Sequence, residues 1–280
     1  MTNKAAGDDF KGRFREIISD PLNFLISRHP LAGFVEDGYI YLHNGIKVPI
    51  MGPNRYYGDF SDVLIYNRGV HEPLEEFIFQ QLLTRLPSSP IMLELGAYWG
   101  HYSMWLKRSR PLSHVHLVEP DLININVGKS NFNANGITGN FVSAFVGSGQ
   151  FTVDDYMSMS NITIINVLHV DIQGYELEML EGCLHALRHR LIDYIFISTH
   201  SQHLHARASE MLSQQGYRVE VSSDFDQEST SFDGILFASS PRTGKLFSGF
   251  RPLGRIQIAS ATPCEIVNYL NSVSVCTLLP

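Results

Sequence analysis

Cysteine is scarce in this chain: Cys183, Cys264 and Cys276 are its only three, an odd number with no pair at metal-ligand spacing. That argues against a zinc scaffold or a disulfide framework and points to reduced thiols in a cytoplasmic protein. Charge is thin as well, at 18% of residues with a net charge of −7, and no basic stripe accompanies the aromatics. A nucleic-acid partner is therefore not expected. No run of about 18 apolar residues is present, and the opening MTNKAAGDDFKGRF has no apolar signal core, so neither a membrane span nor a secretory leader is expected. Repeats and low-complexity tracts are lacking, and so is any Gly-x-Gly-x-x-Gly. What remains is a chain of 280 residues, 44% apolar, enough to bury one large core.

Three zones follow one another. Residues 1–70 read as an irregular extension with a hairpin, because YIYLHNGIKVPI sets Asn44-Gly45 between two β-rich runs. In HEPLEEFIFQQLLTRL, Leu74, Phe77, Ile78, Leu82 and Leu86 fall at helical spacing, and PSSP closes that helix. Apolar strands near Ile91, Val115, Phe141, Leu168, Tyr194 and Ile235 alternate with helical segments over residues 71–240, the pattern of a mostly parallel sheet. Residues 241–280 read as an appendage, with a strand at Arg255 to Ile258 and a short helix at CEIVNYLNSV.

The chemistry concentrates in IMLELGAYWGHYSMW. Here a buried strand ends in Glu94 and turns through Gly96 and Gly100 into a helix. Gly96 lets the backbone come close to a ligand, and Gly100 lets the helix start beside the strand without a clashing Cβ. An acid followed by Gly-x-x-x-Gly fits a dinucleotide poorly and S-adenosylmethionine better, whose cationic sulfonium favours a nearby carboxylate. A second strand, HVHLVEP, ends in Glu119, 25 positions after Glu94, where an acid can accept hydrogen bonds from ribose hydroxyls. Capping of the next helix is the plainer role, and Asp121 can fill it instead. A third strand, in LHVDIQGYELEMLEG, delivers Asp171 to the carboxyl edge of the sheet, and Gly174 opens a helix on which Leu177, Leu180, Leu184 and Leu187 face the core.

In this order and spacing ELGAYWGHYS, VEPDLININVGKSNFNANGI, FTVDDY and VDIQGYELEMLEG resemble the FkbM-type family of S-adenosylmethionine-dependent methyltransferases, over roughly Val70 to Ser239. The resemblance implies a Rossmann-like class I methyltransferase fold, an α/β architecture with a mostly parallel seven-stranded sheet flanked by helices, here with an N-terminal extension carrying a hairpin as a candidate lid. It implies S-adenosylmethionine as cofactor and methyl transfer to a hydroxyl of a sugar, glycan or other small acceptor. Glu94, Gly96, Ala97, Tyr98, Gly100 and Tyr102 would line the methionine side, Glu119 and Pro120 the ribose, and Ser143 and Ala144 the adenine, with Asp171 facing both cofactor and acceptor. Glu176 matches the family's acid on the following helix. Tyr98, His169 and Gln173 depart from the family's frequent Asn, Lys and Glu, and an amide at Gln173 can orient an acceptor but cannot take its proton.

For a base, FISTHSQHLH places His200 just beyond a strand end on the rim that carries Asp171, with His203 second. Ligation of a metal by His200, His203, His205 and Asp171 is not expected, because such close spacing need not converge on one ion. Homo-oligomerisation is left open by the sequence. A dinucleotide-dependent oxidoreductase and a non-catalytic binding module on a methyltransferase fold are the alternatives.

Overall fold

The structure is a computed structural model that describes residues 10–55, 61–147 and 149–276. Residues 1–9 of the expected leaderless start and the Cys276 side chain lie outside the described residues. Short apolar runs give the parallel strands β4 (Ile91–Leu95), β5 (His114–Glu119), β6 (Asn140–Ser143), β7 (Ile165–Val170) and β8 (Ile192–Thr199). Between them run α4 (His101–Ser109), α5 (Leu122–Ala134), α6 (Val153–Met159), α7 (Glu176–Glu181) and α8 (Leu184–Arg188). After α9 (Gln202–Gln214), β9 (Arg218–Ser223) forms the sheet edge and β10 (Gly234–Ser239) inserts antiparallel between it and β8. The order β6-β5-β4-β7-β8-β10-β9 is the seven-stranded, mostly parallel sheet expected of the class I methyltransferase fold.

Winding reverses between β4 and β7, so the loops after these two strands frame the crevice where open α/β sheets bind ligands. Alternation along each strand feeds two cores. Met92, Val167, Phe196 and Phe237 face one side, Leu93, Leu168, Ile197 and Leu236 the other. The first face is covered by α3 (Pro73–Leu83), α4 and the N-terminal extension, whose Leu22, Ile40, Ile46 and Val63 join the same cluster. The extension holds the expected hairpin, β2 (Tyr39–Tyr41) with β3 (Lys47–Pro49), and Asn44-Gly45 sits in a five-residue loop. Strand β1 (Val35–Glu36) adds a third member on the far side of β2.

Three local expectations need correction. Sequence RVEVSS hides β9, because its two valines make no apolar run. Arg255 to Ile258 belongs to a helix, α10 (Arg255–Ser260), although its apolar residues alternate as in a strand. The Gln257 side chain accepts from Gly254 N at 3.0 Å and caps that helix, while Ile256 stays exposed with no sheet to join. The helix opened by Gly174 breaks at Gly182 into α7 and α8, so Met179, Leu180, Cys183 and Leu187 enter the core while Leu177 and Leu184 are half-buried. The appendage ends in α11 (Pro263–Cys276), over the expected CEIVNYLNSV. Among the described residues, no helix is long and apolar enough to cross a membrane.

Candidate active site

The turn after β4 is built on a close backbone approach. Gly96 has φ +73°, and a Cβ there would stand 1.7 Å from the carbonyl oxygen of Asp171. Only glycine fits both the left-handed conformation and the contact. Gly100, also at φ +73°, starts α4 against Leu117 and Phe132, which a Cβ would meet at 2.6 and 2.7 Å. Between them Tyr98 takes a left-handed φ of +43°, which accounts for the family's frequent Asn at that position, since Asn tolerates this region. Tyr98 N donates to Glu119 Oε2 at 3.1 Å, while Glu119 Oε1 accepts from Asp121 N and Asn124 Nδ2, each at 3.1 Å. The carboxylate thus ties the loops after β4 and β5 together. Asp121 caps α5 through Ile123 N at 2.7 Å, so Glu119 is released from that duty.

A cleft of about 390 Å³ opens over these loops. Gly96, Tyr98, Glu119 and Pro120 line one side, Asp171 and Gln173 the other. Phe145 and Tyr175, their rings 4.6 Å apart edge to face, form an aromatic wall. Ser143 is exposed and Ala144 half-buried, and neither lines the cleft; Phe145 and Val146, one step on, take that place. Exposed Gln173, in a left-handed conformation at φ +56°, borders the cleft.

Behind Gly96 lies a smaller cavity of about 40 Å³ that also touches Ala97, Tyr98 and Asp171. Glu94 lines it, accepts from Ser103 N at 3.1 Å, and is pushed up in pKa by burial against the opposing pull of His169 and Ser103. Tyr102, buried, donates its hydroxyl to Glu72 at 2.9 Å. Around this pair runs a network that sequence reasoning missed. Glu75 meets His169 Nε2 at 2.5 Å and Ser198 Oγ at 3.3 Å, and Glu76 holds His71 at 2.6 Å and His43 at 3.0 Å. Burial raises Glu72 to about 7 and Glu75 to about 8, although nearby His71 opposes both shifts. Glu76 overcomes the same burial through His43 and His71 and stays well below the usual carboxylate range. The available signal was HEPLEE, where acids at i, i+3 and i+4 share one helix face.

Beside Asp171 three loops converge. Asp171 follows β7, Glu176 begins α7, His200 follows β8, and Asp233, another residue missed from sequence, precedes β10. His200 Nδ1 and Glu176 Oε1 are 2.5 Å apart, so the imidazole donates there; Oε1 also accepts from Gly174 N at 3.0 Å. His200 Nε2 lies 3.2 Å from Asp171 Oδ1 and 3.3 Å from Asp233 Oδ1, out of hydrogen-bond alignment with both. Burial alone would lower the His200 pKa, but Asp171, Glu176 and Asp233 outweigh it and raise the group to about 10. An imidazole held as its cation near neutrality cannot serve there as the free base expected of it. Asp233 is raised to about 8 by burial and by Asp171, against the opposing charge of His200. The other histidines go elsewhere: His203 is exposed on α9, and buried His205 bonds Thr199 and Ser222, each at 2.9 Å.

Residues 146–219 match the family model for the methyltransferase FkbM domain, so the resemblance read from the motifs is borne out over that segment. A provisionally named methyltransferase of Jannaschia sp. (strain CCS1) is 32% identical over 97 residues, covering 32% of this chain and 33% of that protein. The match thus spans about a third of the relative's length. Among solved structures, precorrin-6y C5,15-methyltransferase of Geobacter metallireducens GS-15 superposes with a TM-score of 0.43 at 16% identity, covering 57% of this chain and 84% of that one. The Pyrococcus abyssi tRNA (uracil-54, C5)-methyltransferase, in complex with S-adenosyl-L-homocysteine, gives 0.46 at 14% identity, covering 73% and 44%. At these scores the likeness carries nothing about what this chain acts on.

Proposed function

We propose that this chain, whose residues 146–219 match an FkbM methyltransferase domain, is an S-adenosylmethionine-dependent methyltransferase acting on a hydroxyl of a sugar, glycan or other small natural-product acceptor. The observation that carries the reading is the Gly96 turn at the sheet's switch point. It comes within 1.7 Å of the Asp171 backbone if given a Cβ, beside a cleft that Glu119 and Asp171 line from opposite sides. A backbone cradle with a carboxylate at the second strand tip suits a ligand carrying a ribose and a positive charge.

When bound, S-adenosylmethionine supplies a methyl group on a sulfonium sulfur, already activated for in-line displacement. The remaining work is alignment, and it falls to the loops. Glu119 would hold the ribose hydroxyls, the Gly96 to Gly100 turn and Glu94 the methionine end, and Phe145 and Tyr175 would flank the ring. Asp171 borders both the cleft and the inner cavity, which supports a role for it facing both cofactor and acceptor. The acceptor hydroxyl would have to be held in line with that methyl group and would have to give up its proton. With His200 already protonated and Asp233 raised to about 8, neither is a ready acceptor near neutrality, and the proton would leave to solvent through the open cleft that Asp171 lines.

Thermal melting with S-adenosylmethionine, S-adenosylhomocysteine, NAD and NADP tests the reading, because a ligand that binds only the native state raises the melting temperature by mass action. The first two should stabilise and the last two should not. A response to NAD alone would transfer the cleft to a dinucleotide.

A further inference from the structure

We propose that Asp171, His200 and Asp233 form a divalent-cation site at the acceptor end of the cleft, suited to Mn²⁺, with Glu176 holding the histidine ligand in place. The three donor atoms all lie within 4.8 Å of one another. His200 Nε2 stands 3.2 Å from Asp171 Oδ1 and 3.3 Å from Asp233 Oδ1. Ligands held about 2.1 Å from an ion stand about 3.0 Å apart at right angles and about 3.4 Å apart at the tetrahedral angle. Both separations from His200 fall between these values, and the two aspartate oxygens lie within 4.8 Å of each other, so an ion between the three donors requires at most a small approach of one aspartate.

Alignment supports the same occupant. His200 Nε2 and Asp171 Oδ1 are buried atoms that face each other without making a hydrogen bond. A bridging proton needs donor, hydrogen and acceptor nearly in line, whereas an ion sits off the line joining its ligands. The outer partner is present too. Glu176, fully buried, takes the Nδ1 proton at 2.5 Å, which turns the Nε2 lone pair towards the two aspartates. This carboxylate–imidazole–ion order is how ligating histidines are usually fixed. Charge completes the case: three carboxylates meet one imidazole here, and a dication compensates them better than one proton on the ring. One imidazole with two carboxylates suits Mn²⁺ better than the all-oxygen preference of Mg²⁺. Asp171 lines the open cleft, so the site has an entry path and coordination positions left for an acceptor.

One consequence rests on the methyltransferase reading. An acceptor hydroxyl bound to the ion would have a lowered pKa and would lose its proton to water before or during attack on the methyl carbon, so no free histidine base is needed. The site itself does not depend on that reading.

The test is Mn²⁺ binding to the full chain after removal of metal with a chelator, followed by electron paramagnetic resonance of the free ion. Affinity for S-adenosylmethionine is measured in parallel by calorimetry without metal. Wild type should bind one equivalent. His200→Ala and Asp233→Asn should weaken Mn²⁺ binding at least 100-fold and Glu176→Gln by 10- to 100-fold, the usual effect of losing an outer partner. Circular dichroism should show all three folded. No stoichiometric Mn²⁺ on wild type overturns the proposal. Equal affinity in wild type and folded His200→Ala also overturns it, since the ion would then sit elsewhere, for example at buried His43, Glu76 and His101. A wild type that binds cofactor but no Mn²⁺ refutes this site and spares the methyltransferase reading; one that binds Mn²⁺ but no cofactor does the reverse.

Discussion

Replacing Gly96 by alanine should do more damage than replacing any exposed glycine of similar backbone conformation, and the excess can be worked from geometry. At Gly96 the new Cβ would lie 1.7 Å from the Asp171 carbonyl oxygen, whereas real Cβ contacts stay beyond 3.0 Å, so the two backbones must part by 3.0 − 1.7 = 1.3 Å. Neither can drift freely. Gly96 N is held by Val118 O at 2.9 Å and Asp171 N by Leu95 O at 2.9 Å. Strain from a positive φ costs about 1–2 kcal/mol for a non-glycine residue. Forced separation adds about 1–3 kcal/mol, and a weakened backbone hydrogen bond about 1 kcal/mol more. Gly174 is the control, because it has φ +103° and nothing within 4 Å of its would-be Cβ. Urea unfolding should therefore show a loss of about 3–6 kcal/mol for Gly96→Ala and about 1–2 kcal/mol for Gly174→Ala. Gly96→Ala should also weaken S-adenosylmethionine binding in calorimetry under folding conditions, because Asp171 moves with the backbone it borders. Equal costs at the two positions would refute the close-approach argument and leave Gly96 as an ordinary turn glycine.

Other outcomes follow from the same contacts. Glu119→Ala should reduce cofactor affinity at least tenfold, while neighbouring Asp121→Ala should leave affinity unchanged and cost about 1 kcal/mol as a lost helix cap; calorimetry and urea unfolding separate the two. Phe196→Ala should cost about 3–5 kcal/mol in urea, since the ring is buried between Phe79 and Phe237 in the core cluster under α3. Buried Asp20 binds Thr230 Oγ1 at 2.7 Å and Leu22 N at 2.9 Å, yet burial outweighs both and raises its pKa from 3.8 to about 6. The folded state then holds a proton that the unfolded state releases, so this contribution is full below about pH 4 and is lost as pH rises through about 6, a change of about 3 kcal/mol. Asp20→Asn keeps an acceptor for Leu22 N and should remove that slope, so its stability relative to wild type should improve between pH 4.5 and 7.5. A constant difference across those pH values would show that Asp20 does not titrate in that range.

Parts of the molecule were legible because a local device dictates the residue. Gly96 and Gly100 mark left-handed backbone, Asp121 caps α5, and apolar strands ending in Glu94, Glu119 and Asp171 place those acids at one sheet edge. What the sequence left unread depends on partners far along the chain. Asp233 meets His200 only because β10 inserts beside β8, and β10 was read from sequence without the β9 that precedes it. His200 was read from its ordinary imidazole pKa, which three carboxylates from two other loops displace. Adenine contacts were placed at Ser143 and Ala144 by resemblance alone, whereas β6 ends at Ser143 and the cleft wall is formed by Phe145 and Val146 beyond it. The acids of α3 show the limit most clearly. Glu72, Glu75 and Glu76 lie at spacing that would suit a solvated face, and Leu74, Phe77 and Ile78 would then cover the core. Instead both stripes are enclosed, because hairpin, sheet and α4 surround the helix and supply His43, His169 and Tyr102 to the acids. Periodicity reports which residues share a face, but whether that face meets water or another polar face is settled only by the fold.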